Sequence, residues 1–404
     1  HRRSTRHGIG RFPAVRRFQR GPVRFVVVHL PESAVGCARV RPGRPLVTGR
    51  RIGPRGRSMK VDVMSGAKPL VEMQRLAVDA RAVGFDGLVL TESGRTAYLS
   101  CVAAALAAPG LDLLTGIAVA FPRSPMVTAQ TAWELAEASG GRFRLGLGTQ
   151  VRAHIERRYG VAFDSPGPRL EEYVRAVRAC FAGFRGAKLD FHGRFHELTF
   201  LNPMWSPGRI DVEDPDVDIA AVNPWMLRMA GEVADGVHVH PIGEPGYLAR
   251  HVLPNVATGA ELGERSVDEV EIIVPVNLIV GDTEAERAAD RELLRGMLSF
   301  YGSTPNYAFI WDEAGFEGTT ARIRERQKAA DMAGMAAQIS DDHLATFCTE
   351  ATWDDLAHAL VDKYRGLATR LVFYNAAMGA PDQVSARLEK FGEVARRIRH
   401  LTGD

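Results

Sequence analysis

From Met59 onward the sequence alternates between short apolar runs and helix-like stretches eight times, and this rhythm constrains the fold more than any other feature. The apolar runs are Lys60–Met64, Phe85–Glu92, Leu111–Ala120, Arg142–Gln150, Val217–Val222, Gly236–Pro241, Val270–Gly281 and Thr369–Asn375. Helix punctuation separates them: Pro69 and Gly84 bracket the first helical stretch, and Ser124 and the pair Gly140-Gly141 bracket another. Eight strands alternating with helices predict an α/β chain of the (β/α)₈ TIM-barrel class. The surplus length sits in two places. Lys188–Asp216 is Pro-rich and hairpin-like. Thr283–Glu350 is mostly helical and forms an insertion between strands seven and eight, where such barrels build the mouth of their site.

The first 58 residues do not share this rhythm. They carry 15 Arg, no Lys and one acid, Glu32, a contribution of +14; the whole chain is +3, so the remainder is near −11. Three readings compete. A nucleic-acid arm would want interleaved aromatics, and Phe12, Phe18 and Phe25 are thin support. A transit peptide would also be amphipathic and Ser-rich. The third reading is an upstream extension translated from GC-rich DNA, with the natural start at Met59. The third is our expectation: residues 1–58 disordered or foreign to the native protein, and residues 59–404 the working domain. No apolar run reaches eighteen residues, so no membrane span is expected. Cys37, Cys101, Cys180 and Cys348 form no C-x-x-C, which suits a reducing cytoplasm and argues against a disulfide framework or a zinc site.

In a barrel of this class the site lies at the C-terminal ends of the strands. The fourth strand ends in Gly146-Leu147-Gly148-Thr149-Gln150. Glycine weakens a strand unless the backbone must bend or something must come close. One reading is a plain tight turn; the other is Gly148 and Thr149 offering N–H and hydroxyl donors to a flat ligand or an anion. His238 and His240 are two apart on one strand, so they share a face. They are a metal pair, a ligand-facing pair, or a buried hydrogen-bonded pair; a metal site would need partners on other strand ends, where only Glu92 is available. Glu92 itself is either a capping carboxylate or a group that contacts a ligand or relays protons. Arg123, Arg152, His154 and Arg169 add positive charge around strands three and four and together suit an anionic ligand.

With these residues laid out, the chain from about Met59 to its end resembles the luciferase-like monooxygenase superfamily, and within it the actinobacterial coenzyme F420-dependent oxidoreductases. The resemblance is carried by Gly84–Ser93, Phe121–Gly160 and Ala220–Pro241. It implies a barrel that binds a flavin or deazaflavin at its mouth. It implies a bulge after strand three, often with a non-proline cis peptide, at about Ala118-Val119. It assigns Glu92 to a cofactor contact, Gly148, Thr149, Gln150 and His154 to the ring and tail, and Ala221, Val222 and Asn223 to a tail-binding turn. The catalytic His and Glu of F420-dependent sugar-phosphate dehydrogenases fall at Ser93 and near Val151, so that activity is not expected. Asn223 replaces the usual Gly of the turn after strand five and is expected to tolerate a left-handed backbone.

The expected function is a cytoplasmic F420-dependent oxidoreductase, moving hydride between the deazaflavin and a C=C, C=O or C=N bond of a small organic substrate. The alternative is an FMN-dependent monooxygenase that uses O₂ and a partner reductase, and a distant one is a nucleic-acid-associated protein acting through the Arg-rich head. His240 is the first candidate for proton transfer, titrating near neutral pH, with Glu92 second; His238 is expected one layer deeper, hydrogen-bonded and neutral. His238 and Arg152 complete the expected cofactor contacts. Residues 283–350 are expected to form a lid and substrate wall, and Phe300, Tyr301, Tyr307 and Trp311 either line it or pack within the lid itself. The expected partners are the substrate and a second copy of the chain, without nucleic acid or membrane. A chain that starts at Met59 should match the full chain in melting temperature and cofactor affinity; a clear drop in either would make the head part of the working protein.

Overall fold

Parallel strands cannot be joined by tight turns, so each needs a crossover. In the computed structural model, which describes residues 58–66, 68–379 and 381–403, eight such strands close on themselves. They are β1 (Lys60–Gly66), β2 (Gly87–Thr91), β3 (Asp112–Thr115), β4 (Phe143–Gly148), β5 (Asp216–Ala220), β6 (Gly236–His238), β7 (Glu271–Val280) and β8 (Arg370–Phe373). Each pairs in parallel with its neighbours in sequence, and β8 closes the ring by pairing with both β7 and β1. The expected TIM barrel is therefore the observed one. The Arg-rich head, residues 1–57, lies outside the described residues. Helices α1 (Leu70–Val83), α2 (Ala97–Ala107) and α3 (Pro125–Ser139) follow the first three strands. Two of them stop where Gly84 (φ 101°) and Gly140 (φ 64°) turn left-handed, a conformation that glycine adopts without penalty. Ser124 caps α3, its hydroxyl accepting the Val127 N–H at 3.3 Å.

The period of two sorts each strand's side chains into two cores. Outward residues such as Val61, Val63, Leu88, Leu90, Leu113, Leu145 and Leu147 join the helices in one large apolar cluster. Inward residues form layers. The upper inward layer is Met64, Val89, Leu114, Ile273 and Val372, with Tyr374 above it. The lower layer is ionic. Arg370, 1% exposed, donates to both oxygens of Asp62 at 2.8 Å, to Asp112 at 2.9 Å and to Glu271 at 3.3 Å. Arg144 donates to Asp218 at 2.9 and 2.6 Å and also pairs with Asp216. Two glycines make room for these groups. A Cβ on Gly87 would lie 2.5 Å from Asp62 Oδ1, and one on Gly236 would collide with Asp218 Oδ1. Burial pushes the Asp62 carboxyl up to about 6 against the pull of Arg370. Burial acts on Asp218 in the same sense, yet Arg144 holds that carboxyl well below the usual range.

The two insertions are tied down by polar contacts. Glu172 accepts the N–H groups of Arg194, Phe195 and His196 at 2.6–2.8 Å and so fixes the small hairpin Phe191–His192 with Glu197–Leu198. Strand β7 runs ten residues, and its last four pair with the short strand Cys348–Ala351, by which the helical insertion returns. Buried Asp290, on the insertion's first helix Glu284–Gly302, receives Arg387 from the C-terminal helix at 2.9 and 2.8 Å and the Val280 N–H at 3.1 Å. Among the described residues no helix is long and apolar enough to cross a membrane.

Removing one partner from a buried ion pair leaves an uncompensated charge, at a cost of about 3–5 kcal/mol. Arg370→Leu should therefore lower unfolding stability in urea by an amount of that order. Arg142→Ala, which removes an exposed partner of the same Asp112 at 3.2 Å, should cost less than about 1 kcal/mol. Equal small losses in both variants would contradict a buried ionic layer.

Candidate functional site

The glycines that end β4 lie closely against protein. A Cβ on Gly146 would overlap the Thr115 carbonyl and lie 2.7 Å from His238 Nε2, and the Thr115 hydroxyl donates to Gly146 O at 2.8 Å. A Cβ on Gly148 would sit 2.8 Å from Ile117 Cδ1. Both positions are kept bare so that the end of β3 can lie against β4. That end crosses a non-proline cis peptide between Gly116 and Ile117, two residues before the place expected for it. Ala118 and Val119 pair with Leu147 and Gly148 as a short strand and are buried. It is Gly116 and Ile117 that stay partly open at the mouth. Sequence reasoning missed this pair, although Gly116 at the end of an apolar run carried the same signal as Gly146 and Gly148.

Glu92 is buried beside this turn. One carboxylate oxygen accepts the Val119 N–H at 2.7 Å and Arg123 Nη1 at 3.0 Å; the other accepts Arg123 Nη2 at 2.5 Å. Arg123 also donates to Val119 O at 3.0 Å. The pair thus grips Val119 by both backbone groups and fixes the chain that follows the cis bond. A carboxylate engaged in this way acts as a clamp on the chain after β3.

His238, which ends β6, and His240, two residues beyond it, do stand at different depths. His238 is 5% exposed, beneath Gly116, and faces Asp218 at 3.7 Å. Its Nε2 has no hydrogen-bond partner, which corrects the expectation of a hydrogen-bonded ring. His240 lies at the mouth under two tyrosines of the insertion, its ring 4.9 Å from that of Tyr301 and 4.0 Å from that of Tyr307. The Tyr301 and Tyr374 hydroxyls hydrogen-bond each other. Burial among these rings pushes His240 down to about 3, so it is neutral at pH 7 and not the near-neutral titrating group expected. The Ile242 N–H donates to His240 Nδ1 at 3.3 Å, which places the proton on Nε2. His240 is therefore a fixed hydrogen-bond donor. Of the four aromatics that either line the insertion or pack within it, Tyr301 and Tyr307 reach the mouth. Trp311 is fully buried against His343 and Phe347 inside the insertion, and Phe300 is 62% exposed.

The remaining candidates lie along the rim. Thr149 donates to Gln150 O at 3.1 Å, and Gln150 adopts φ 57°. Arg152 and His154 are exposed on the short helix Arg152–Arg157, where Arg152 pairs with Glu156 at 2.7 Å and stacks on Phe163. Ala221 is buried and Val222 partly so. Asn223 has φ −82°, not a left-handed backbone; its side chain caps the helix Pro224–Val233 by accepting the Met226 N–H at 2.9 Å. Arg95 and Arg157 are exposed and make no ion pair among the described residues, so the rim offers unpaired guanidinium charge, with the exposed His154 and the partly buried Ile117 and Val222 also at the strand ends. That donor set fits a flat conjugated ring with an acidic tail. Among the described residues no group of three or more His, Cys, Asp or Glu is gathered to hold a metal ion.

Residues 56–370 match the family model for the luciferase-like monooxygenase. An uncharacterised Mycobacterium tuberculosis protein is 34% identical over 317 residues, covering 78% of this chain and 93% of its own. The 5,10-methylenetetrahydromethanopterin reductase of Archaeoglobus fulgidus is 26% identical over 308 residues, 74% of this chain and 86% of that one. Among solved structures, the coenzyme F420 dependent tetrahydromethanopterin reductase of Methanopyrus kandleri superposes with a TM-score of 0.68 at 19% identity, covering 83% of this chain and 98% of the other.

The cage around His240 sets a pH signature. Its ordinary value is 6.5 and the folded value about 3, so between these the unfolded chain binds a proton that the folded chain refuses. The stability this contributes is complete above pH 6.5 and is lost as pH falls toward 3. His240→Phe, which keeps a ring in the cage, should lose less unfolding free energy between pH 7 and pH 4.5 than the parent chain. Identical losses in the two would show that His240 titrates as freely in the fold as outside it.

Proposed function

The chain belongs to the luciferase-like monooxygenase family, and on that premise we propose that it is an F420-dependent oxidoreductase, passing hydride between coenzyme F420 and a small organic substrate at the barrel mouth. The observation that carries this reading is the neutral His240, fixed in one tautomer with its Nε2–H free at the mouth. Hydride arriving at one atom of a C=O or C=N bond leaves negative charge on its neighbour. A pre-oriented donor that needs no reorganisation stabilises that charge best. The cofactor reading is supported by the Methanopyrus kandleri neighbour, which is named as coenzyme F420 dependent.

When bound, F420 supplies the hydride chemistry; the chain supplies placement and charge. Gly116 and Ile117, with Val222, form the surface against which the ring would lie. Glu92 and Arg123 are positioning residues that hold this surface through Val119. Gly148 permits the close seat of Ile117, and Thr149, Gln150, His154 and Arg152 border the route of the acidic tail toward Arg95 and Arg157. Tyr301 and Tyr307 pack against the His240 ring and hold its orientation.

Spectral titration of the purified chain should show tight F420 binding and weak FMN binding, the former weakened by salt. Tight FMN binding without F420 binding would move the protein to the oxygen-using branch of its family. Removal of a donor aimed at developing charge costs about 10²–10³ in turnover. His240→Phe should fall in that range, and the parent chain's kcat should stay flat between pH 5 and pH 8. A bell-shaped profile centred near pH 6.5 that vanishes in His240→Phe would assign a titrating role instead.

A further inference from the structure

A cavity of about 360 Å³ opens at the C-terminal ends of β1 and β8, lined by Met64, Ser65, Gly66, Lys68, Ala377 and Met378. That volume is at the small end of the range for sites that enclose small molecules, about 300–1,000 Å³. Its position at the strands' C-terminal ends makes it part of the mouth. Contacts connect it to the chemistry. Met64 and Met378 pack with Tyr374, Tyr374 bonds Tyr301, and the Tyr301 ring lies against His240.

The lining is unusual in its charge. Met64, Ala377 and Met378 make the walls apolar, and the Ser65 hydroxyl is turned to its own neighbour, donating to Gly66 O at 2.9 Å. Among the described residues no carboxylate lines the space. Lys68, partly buried at its edge, makes no ion pair or hydrogen bond among the described residues. A lysine normally keeps its ammonium in water or against an acid, so an unpaired one beside an apolar cavity leaves a charge for an occupant to match.

We infer that this cavity is the substrate subsite and that it takes a monoanionic organic carboxylate: an apolar chain or ring carrying one carboxylate, which Lys68 receives. The inference deepens the oxidoreductase reading and rests on it for the word substrate. The kind of cation narrows the anion. A single ammonium is a point charge and lacks the planar fork of arginine that suits phosphate, so one negative charge is matched and two are not. The thioether walls narrow the body of the ligand less. Methionine is flexible and fits irregular shapes, so the subsite should be strict about charge and tolerant of chain shape.

Gly66 makes the test independent of folding. A Cβ there would meet nothing nearer than Thr91 Oγ1 at 3.9 Å, so Gly66→Leu places its side chain in the cavity without a clash from its Cβ. Binding of octanoate and of 1-octanol to the full chain without cofactor is measured by calorimetry, for the parent, Lys68→Met and Gly66→Leu. Loss of a charge-assisted contact corresponds to about ten- to a hundredfold in affinity. The parent should therefore favour octanoate over octanol by that factor, Lys68→Met should erase the preference, and Gly66→Leu should abolish binding of both with an unchanged melting temperature. Equal binding of octanoate and octanol by the parent would overturn the inference, as would undiminished octanoate binding by Lys68→Met or Gly66→Leu. F420 titration of the same three proteins separates the two readings: octanoate binding without F420 binding sinks the proposed function and leaves the carboxylate subsite, while F420 binding without octanoate binding does the reverse.

Discussion

Two guanidinium groups sealed inside the barrel hold its geometry. Arg370 on β8 reaches Asp62 on β1, Asp112 on β3 and Glu271 on β7; Arg144 on β4 reaches Asp216 and Asp218 on β5 and approaches Glu271 at 3.8 Å. Six of the eight strands therefore meet in one ionic layer. Such a layer returns little beyond the cost of its own desolvation, but it is expensive to mismatch. A strand shifted by one residue would turn its charge outward and leave its partner bare. Matching the charges is thus a way of setting register, and register sets which residues reach the mouth two and four positions later: Met64, Gly116, Gly146, Gly148, His238 and His240.

The mouth inherits its properties from that placement. His238 stands directly above Asp218 and below Gly116, while His240, two residues past the end of β6, emerges among the insertion's tyrosines. The same residue type thus sits in two environments two positions apart. The insertion is anchored by Asp290, which takes Arg387 at 2.9 and 2.8 Å and the Val280 N–H at 3.1 Å, and by the pairing of Cys348–Ala351 with the end of β7. Through these anchors the tyrosines are delivered to His240 by fixed parts of the barrel.

The barrel was legible in the sequence because eight repeats of one period leave little else to build. The depth order of His238 and His240 was legible for the same reason, since the period of two is rigid. What the sequence concealed were long-range pairings. Nothing near Glu92 announces Arg123 and the Val119 N–H, so its role as a clamp required the fold. The bare faces of Gly146 and Gly148 suggested a ligand, and the atoms that fill the space belong to Thr115, Ile117 and His238, which are distant in the chain from β4 or follow it by several elements. Asn223 was read as a left-handed turn, whereas the nearby Pro224 starts a helix that makes it a cap. The titration of His240 depended on Tyr301 and Tyr307, some sixty residues away, and on which of its nitrogens the Ile242 N–H would meet.

The central claim is that the turned end of β3 and the neutral His240 together form the seat of a deazaflavin. A crystal structure of the full chain soaked with F420 tests it most directly. The account predicts density for the tricyclic ring against Gly116 and Ile117, with His240 Nε2 facing the open side and the acidic tail running along Arg95, His154 and Arg157. Density for the ring elsewhere on the barrel, or a seat at Gly116-Ile117 that takes FMN and stays empty in F420, would contradict it.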